Sequence, residues 1–240
     1  PRRQRQMCIR DSSNPGINAL ALNQDDVLLD VGCGAGGALI EASRTCSRVI
    51  GLDIGLRWLV LCQKRMQEKG LSVQLVCADI EHPPFDTETF DKIIATDLLE
   101  NVYSVSDSIK SMSSLLRESG KLWIASTNRL FPGPQPSTRL WAIGYLPEKL
   151  RNRIVTRFRG VNSLRYINLL TPFKILANVR QSHLEVIKAQ PKTVSLPKDS
   201  KLPTREKLAI RVYIALCRLP LIKNILFWFG PAFELLLKKR

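Results

Sequence analysis

Asp30-Val31-Gly32-Cys33-Gly34-Ala35-Gly36-Gly37 places four glycines within eight residues, directly after the apolar run Val27–Val31 and before a helical stretch. Glycine permits left-handed turns and close backbone approach, and the start of a helix presents N–H groups at its positive end. Such a loop suits one end of a nucleotide-like ligand. Asp53 closes the next apolar run, Arg48–Asp53, where an acidic side chain can accept hydrogen bonds from ribose hydroxyls. A third acid, Asp79, stands in Cys77-Ala78-Asp79-Ile80-Glu81-His82-Pro83-Pro84-Phe85, and a fourth, Asp97, follows Thr96.

These residues can act together only if their elements bring them to one edge. Strands are expected at Val27–Val31, Arg48–Asp53, 72–78, 91–96 and 120–126, with helices at 37–46, 56–69 (stopped by Gly70) and 103–117 between them. Strands alternating with helices of this length make βαβ units and a parallel sheet covered on both faces. After Asn128 the alternation breaks at Pro132, Pro134 and Pro136. Basic helical residues 137–160, a helix at 170–181 and a strand at 183–188 are expected next. A linker rich in Lys and Pro (191–204) then leads to an apolar helical stretch, 206–229, and a last strand at 233–237.

The glycines alone fit two patterns. Gly32, Gly34 and Gly37 fit the GxGxxG of dinucleotide binders; Asp30, Gly32, Gly34 and Gly36 fit the DxGxGxG of methyltransferases that use S-adenosylmethionine (SAM). The third acidic position separates them. Residues 77–85, followed by Phe90-Asp91-Lys92-Ile93-Ile94, resemble the adenine-binding and following-strand motifs of class I SAM-dependent methyltransferases. The resemblance spans about 19–128 and is nearest to the group that includes ubiquinone and menaquinone biosynthesis methyltransferases. Ser126-Thr127-Asn128-Arg129, with Gly144-Tyr145-Leu146-Pro147, is similar to the insertion after strand five of some members.

The resemblance implies an α/β, Rossmann-like seven-stranded sheet in the order 3-2-1-4-5-7-6, last strand antiparallel, with helices on both faces. Residues 13–240 would form one domain, with a substrate-cover insertion at about 130–168 and an apolar, basic helical insertion at about 191–229. It implies SAM as cofactor, with Asp30, Gly32, Gly34 and Gly36 at the methionine end, Asp53 at the ribose, Asp79 at the adenine and Asp97 towards methyl transfer. Cys33, Ile54, Ala78, Ile80 and Thr96 complete the expected cofactor-binding set.

A sulfonium methyl is already activated, so transfer requires an aligned nucleophile more than a strong acid. A base is needed only for an acceptor that arrives unionised. His82 reads as structural and His183 as a packing or surface residue, so no catalytic base is assigned. Asp97, Glu100 and Asn101 match an ExxEH pattern that binds a divalent metal in certain ubiquinone-pathway relatives, with Asp for the first Glu and Asn for His. That is a poorer ligand set, and no metal is expected.

Net charge is +15, and it is uneven: residues 1–120 hold 13 basic and 16 acidic side chains, residues 121–240 hold 23 and 5. The basic half is expected to face an anionic partner. Six cysteines form no CxxC pair or Cys/His cluster, so neither zinc nor a disulfide framework is indicated, and they read as reduced cysteines of an intracellular protein. No signal peptide is read, and residues 1–12, with Gln6-Met7-Cys8-Ile9-Arg10-Asp11-Ser12 resembling adapter read-through, are set aside as non-native.

Between 139 and 166 cations interleave with Trp141, Tyr145, Phe158 and Tyr166, which suits stacked bases, a lipid headgroup layer or a solvated face. In 206–218, Lys207, Arg211 and Arg218 form a narrow stripe on an otherwise apolar helix; Pro220 interrupts it, and Leu221 to Phe229 continue the apolar run. This suits a helix in a membrane interface and equally one packed on the sheet or in a dimer; RNA would need less apolar surface. The expected function is SAM-dependent methyl transfer to a small-molecule or lipid-linked acceptor by a cytoplasmic or membrane-peripheral enzyme. An RNA methyltransferase and a non-catalytic SAM-binding protein are the alternatives, and the oligomeric state is not legible.

Overall fold

The computed structural model describes residues 15–135, 138–160, 167–194 and 203–240. Residues 1–12 lie outside the described residues.

β1 (Val27–Val31) is buried at every position, as befits a central strand covered on both faces. It pairs in parallel with β2 (Arg48–Asp53) and β4 (Phe90–Thr96). β3 (Gln74–Cys77) extends the sheet beside β2, and β5 (Leu116–Thr127) extends it beside β4. β7 (Ala232–Lys239) lies antiparallel between β5 and β6 (Leu184–Pro191). The order is 3-2-1-4-5-7-6, the one the resemblance implies. Because β7 runs backwards, its first residues lie at the edge where β1 to β5 end.

On one face, Leu28, Ile94 and Trp123 of the sheet meet Ile17 and Leu20 of α1 (Pro15–Leu20), Leu39 and Ile40 of α2 (Gly37–Ala42), and Leu59, Cys62 and Met66 of α3 (Leu56–Glu68). On the other, Leu29, Ile93, Ile124 and Leu235 meet Ile109 and Met112 of α4 (Val105–Leu115) and Ile175 and Val179 of α6 (Pro172–Arg180). The insertion before α6 carries a short 3₁₀ turn (Ile143–Tyr145) and α5 (Glu148–Arg159).

Two expectations are corrected. Among the described residues of 137–160, only Glu148–Arg159 is α-helical. Arg139 and Ala142 take left-handed φ, and a Cβ on Gly144 would stand 2.0 Å from the Arg129 carbonyl oxygen, so the chain there folds against Arg129 instead of coiling. Gly160, at φ 75°, stops α5. The stretch 206–229 divides at Pro220, as expected, into α7 (Thr204–Leu216) and α8 (Pro220–Phe229), but its cationic stripe is shorter than expected. Proline at the start of α8 holds Leu219 extended, so Arg218 lies in the bend and not on the Lys207–Arg211 stripe.

Asn128 joins the parts beyond β5. It is 1% exposed; its Nδ2 donates to the Trp228 carbonyl at 2.8 Å and its Oδ1 accepts from the Leu130 N–H at 3.0 Å. Its own N–H donates to the Pro231 carbonyl. Asn128→Ala strands the Leu130 donor and the Trp228 acceptor, and is expected to cost about 1–3 kcal/mol in urea unfolding.

Candidate functional site

The glycine turn is folded back onto β2. The N–H groups of Gly32 and Cys33 both donate to the Leu52 carbonyl, at 2.7 and 3.1 Å, and that of Gly36 donates to the Cys33 carbonyl. Gly32, Gly34 and Gly36 all have left-handed φ, but their surroundings differ. A Cβ on Gly32 would strike Leu98, and one on Gly36 would strike Cys62 and Met66 of α3 at 2.5 Å. One on Gly34 would meet nothing nearer than the Gly32 carbonyl oxygen at 4.0 Å. Gly36 therefore permits helix packing, and Gly34 presents backbone to open space. Arg65 of α3 donates to the Ala35 carbonyl and steadies the turn.

Asp53 ties three stations together. Oδ2 accepts from the Gly34 N–H at 2.9 Å, Oδ1 from the Gly55 N–H at 2.7 Å, and its carbonyl accepts from the Ala78 N–H at 3.3 Å. Each carboxylate oxygen has a second lone pair for a ligand hydroxyl. Ile54 beside it is 72% exposed, an apolar surface at the mouth, while Ile80 is buried under the third station. Asp79 accepts from the Glu81 N–H at 3.0 Å, which fixes its turn.

Asp30, 4% exposed at the end of β1, has its carboxyl pushed up to about 8 by burial, with Cys62 and Asp53 adding to the shift. A hydrogen bond with Cys62, and burial, push the Cys33 thiol up as well, which disfavours thiolate chemistry at Cys33.

At the β4 end Thr96 is followed by Asp97 in left-handed conformation (φ 51°). The Asp97 N–H donates to the Ala125 carbonyl and its carbonyl accepts from Asn101 Nδ2, both at 2.9 Å. Its carboxylate faces Lys192 Nζ, while the Glu100 carboxylate accepts from the Thr127 N–H and from Ser126 Oγ at 3.0 Å. The ExxEH-like trio thus turns to separate partners. Among the described residues no cluster of three or more His, Cys, Asp or Glu side chains is arranged to hold a metal.

The structure adds residues without a role in the sequence reading. Glu81 Oε1 accepts from the Tyr103 and Ser104 N–H groups, each at 2.8 Å, clamping the third station to the start of α4. Asn168 binds the carbonyls of Leu99 and Val102 and anchors the insertion over the β4 loop. Glu234 and Lys192 enter from the β6–β7 side. An acid inside the apolar run of β7 is a readable signal for Glu234; Lys192 has none, being one lysine of a lysine-rich linker.

His82 is exposed, its N–H donating to the Asp79 carbonyl. His183 lies at the opposite sheet edge, beside a cavity of about 430 Å³ that Glu88, Lys110 and Lys239 also line.

Residues 29–124 match the family model described as a methyltransferase domain. The ubiquinone biosynthesis O-methyltransferase of Coxiella burnetii is 34% identical over 105 residues, 43% of this chain and 44% of that protein, so the chain spans less than half the length of this relative. A geranyl diphosphate C-methyltransferase from Streptomyces coelicolor, solved with Mg2+, geranyl-S-thiolodiphosphate and S-adenosyl-L-homocysteine, shares the fold at TM-score 0.60 and 18% identity, over 94% of this chain and 74% of that one. The cyclase SpnF does so at TM-score 0.61 and 16% identity, over 94% and 78%. The segment 29–124, which matches the methyltransferase-domain model, contains all twelve expected cofactor residues.

Asp30 yields a test. Its folded-state carboxyl titrates near 8, above the roughly 3.9 of an unfolded chain, so its contribution to stability is full below about 4 and lost as pH rises through 8. Asp30→Asn removes that loss. The stability of the variant relative to the wild type should climb by up to about 1.4 kcal/mol per pH unit between about pH 4 and 8, then level, in denaturant titrations.

Proposed function

We propose that this protein is a SAM-dependent methyltransferase acting on a small-molecule or lipid-linked acceptor at the cytoplasmic surface of a membrane. The observation that carries the reading is the joining of three acidic stations through Asp53, beside an open glycine turn, within the family-matched segment. Two features fit the cofactor. Gly34 leaves a cradle that a side chain would narrow, and Thr96 Oγ1 is buried without a hydrogen-bond partner at the edge of the site.

On this reading the glycine turn and Asp30 hold the methionine end, Asp53 the ribose, Asp79 the adenine, and Thr96 and Asp97 border the transfer side. SAM supplies a methyl group on a sulfonium, which leaves with its bonding pair staying on sulfur. The residues of this chain orient the acceptor in line and exclude water; orientation can be worth on the order of 7–11 kcal/mol. The cyclase on the same fold is a reminder that activity follows the site and not the architecture.

The membrane placement draws support from the tail. α7 has no buried residue, and Leu208 and Leu221 are 61% and 81% exposed, with Val212, Ile225 and Phe229 also outside. Arg205, Lys207, Arg211 and Lys223 share these helices. Among the described residues no single helix is long and apolar enough to cross a membrane, and α7 and α8 pass that test only as a pair bent by 118°. α8 is fixed to the fold by Phe227 in the core and by Trp228 stacked on Phe173 at 4.2 Å. An apolar face with cations, anchored at one end, suits a helix pair lying in the interface.

Asp53→Ala is expected to weaken SAM binding by about 1–3 kcal/mol in calorimetry; unchanged affinity would remove Asp53 from the site. With methyl-labelled SAM and cell extract, label should enter the lipid or small-molecule fraction. Label confined to RNA, with affinity falling steeply in salt, favours an RNA methyltransferase instead. Co-sedimentation with liposomes containing anionic lipid should be lost when Leu221 and Ile225 are changed to Ser; retention would detach the tail from the membrane.

A further inference from the structure

Two guanidiniums, those of Arg129 and Arg151, face each other beyond the end of β5. The Arg129 N–H donates to the Leu170 carbonyl and its Nε to the Gly144 carbonyl, both at 2.7 Å. Gly144 lies too close to the Arg129 backbone to carry a side chain. One residue on, Tyr145 Oη donates to the Leu130 carbonyl. These ties hold the chain that enters α5 beside Arg129. Arg151 belongs to the first turn of α5, one turn before Val155, which is buried with Ile143 inside the insertion. Positions four apart share a helix face, and long side chains lean back towards the helix start. Arg151 is therefore turned inward, over the turn that leads back to Arg129.

As it stands the pairing is unfavourable. Arg151 Nε is shut off from solvent and has no hydrogen-bond partner. Burial first, and the Arg129 cation second, lower the pKa of the Arg151 guanidinium, and Glu148 opposes them more weakly. Among the described residues no carboxylate lies within ion-pair distance of either arginine. An arginine stays charged in a protein, so losing a proton cannot relieve the repulsion. Buried donors are nearly always paired, and buried charge is costlier still without a counter-charge. A neutral acceptor would satisfy the Nε hydrogen and leave the two cations facing each other. An anion answers both.

The kind of anion follows from shape and charge. One guanidinium fork already fills both oxygens of a carboxylate. Two forks match a group with three oxygens and nearly two negative charges, which describes a terminal phosphate near neutral pH. α5 adds its positive end, because Pro147 at the cap position offers no side-chain acceptor. The place is the carboxyl edge of the sheet, past β4 and so past the three stations that would hold the cofactor. Ligands of open α/β sheets bind at this edge. We propose that Arg129 and Arg151 together bind a terminal phosphate on the acceptor, and so select acceptors that carry one. The inference rests on the methyltransferase reading only in calling that ligand the acceptor.

The test titrates phenyl phosphate into the full chain by calorimetry at fixed ionic strength, with benzoate in parallel. Phenyl phosphate is expected to saturate one site, and benzoate to bind at least about tenfold more weakly. Arg151→Gln should weaken phenyl phosphate by about 10- to 100-fold, the scale of a lost hydrogen bond to a charged group. Arg157→Gln, the same change of charge at an exposed position of the same helix, should leave it unaltered. Phenyl phosphate should raise the melting temperature of the wild type and not that of Arg151→Gln. Without ligand that variant should melt no lower than the wild type, since the repulsion is gone, so lost binding is not lost folding. Failure of phenyl phosphate to saturate, benzoate bound as tightly, or an equal loss in both variants overturns the proposal. Arg151-dependent binding to phosphatidylglycerol vesicles without binding of phenyl phosphate overturns it too, and gives the pair to a lipid headgroup. Calorimetry with SAM separates the two readings. SAM binding without an Arg151-dependent phosphate site sinks this proposal alone, whereas such a site without SAM binding sinks the methyltransferase reading alone.

Discussion

The Asp53 carboxylate is the contact on which the rest of the site depends. It caps the glycine turn through Gly34 and the start of the β2–α3 connection through Gly55, while the backbone of the same residue accepts from Ala78. Three loops that leave three different strands are therefore held relative to one another by one residue. The parallel sheet makes this possible, because β1, β2 and β3 all end at the same edge and Asp53 stands on the middle one. An acid of this length is required: the carboxylate must reach a turn and a helix start together and still keep lone pairs for a ligand.

Much of the fold was legible because burial writes itself into strands as short apolar runs. Val27–Val31, Arg48–Asp53 and the run ending at Thr96 stand out for that reason, and the strand order followed from the resemblance carried by the acids at their ends. Helix ends set by steric detail were less legible. The stretch before α5 has helix-compatible composition, but the close approach of Gly144 to Arg129 is a tertiary fact with no local signature. The bend between α7 and α8 was half legible: Pro220 is visible, though its effect on Leu219 and Arg218 removes one cation from the stripe that sequence alone assembles.

The acidic stations were legible by type and position, and their partners were not. Gly36 sits in the same pattern as Gly34, yet one packs against α3 and the other faces open space. Glu81, Glu100 and Asn168 bind backbone groups of loops remote in sequence, which no spacing rule marks. Lys192 is the extreme case, since its placement arises from the β6–β7 pairing and from Tyr213 on a helix that follows it.

The buried carboxyl of Asp30 carries a consequence for binding and not only for the fold. Held near 8, it is mostly protonated at neutral pH. A cationic ligand seated beside it would draw the group to its ionised form and expel a proton. Binding of a cation at the glycine turn is then an exchange, ligand in and hydrogen ion out, and occupancy falls as the surroundings acidify. Acidity becomes a competitor of such a ligand, through a residue that never has to touch the acceptor.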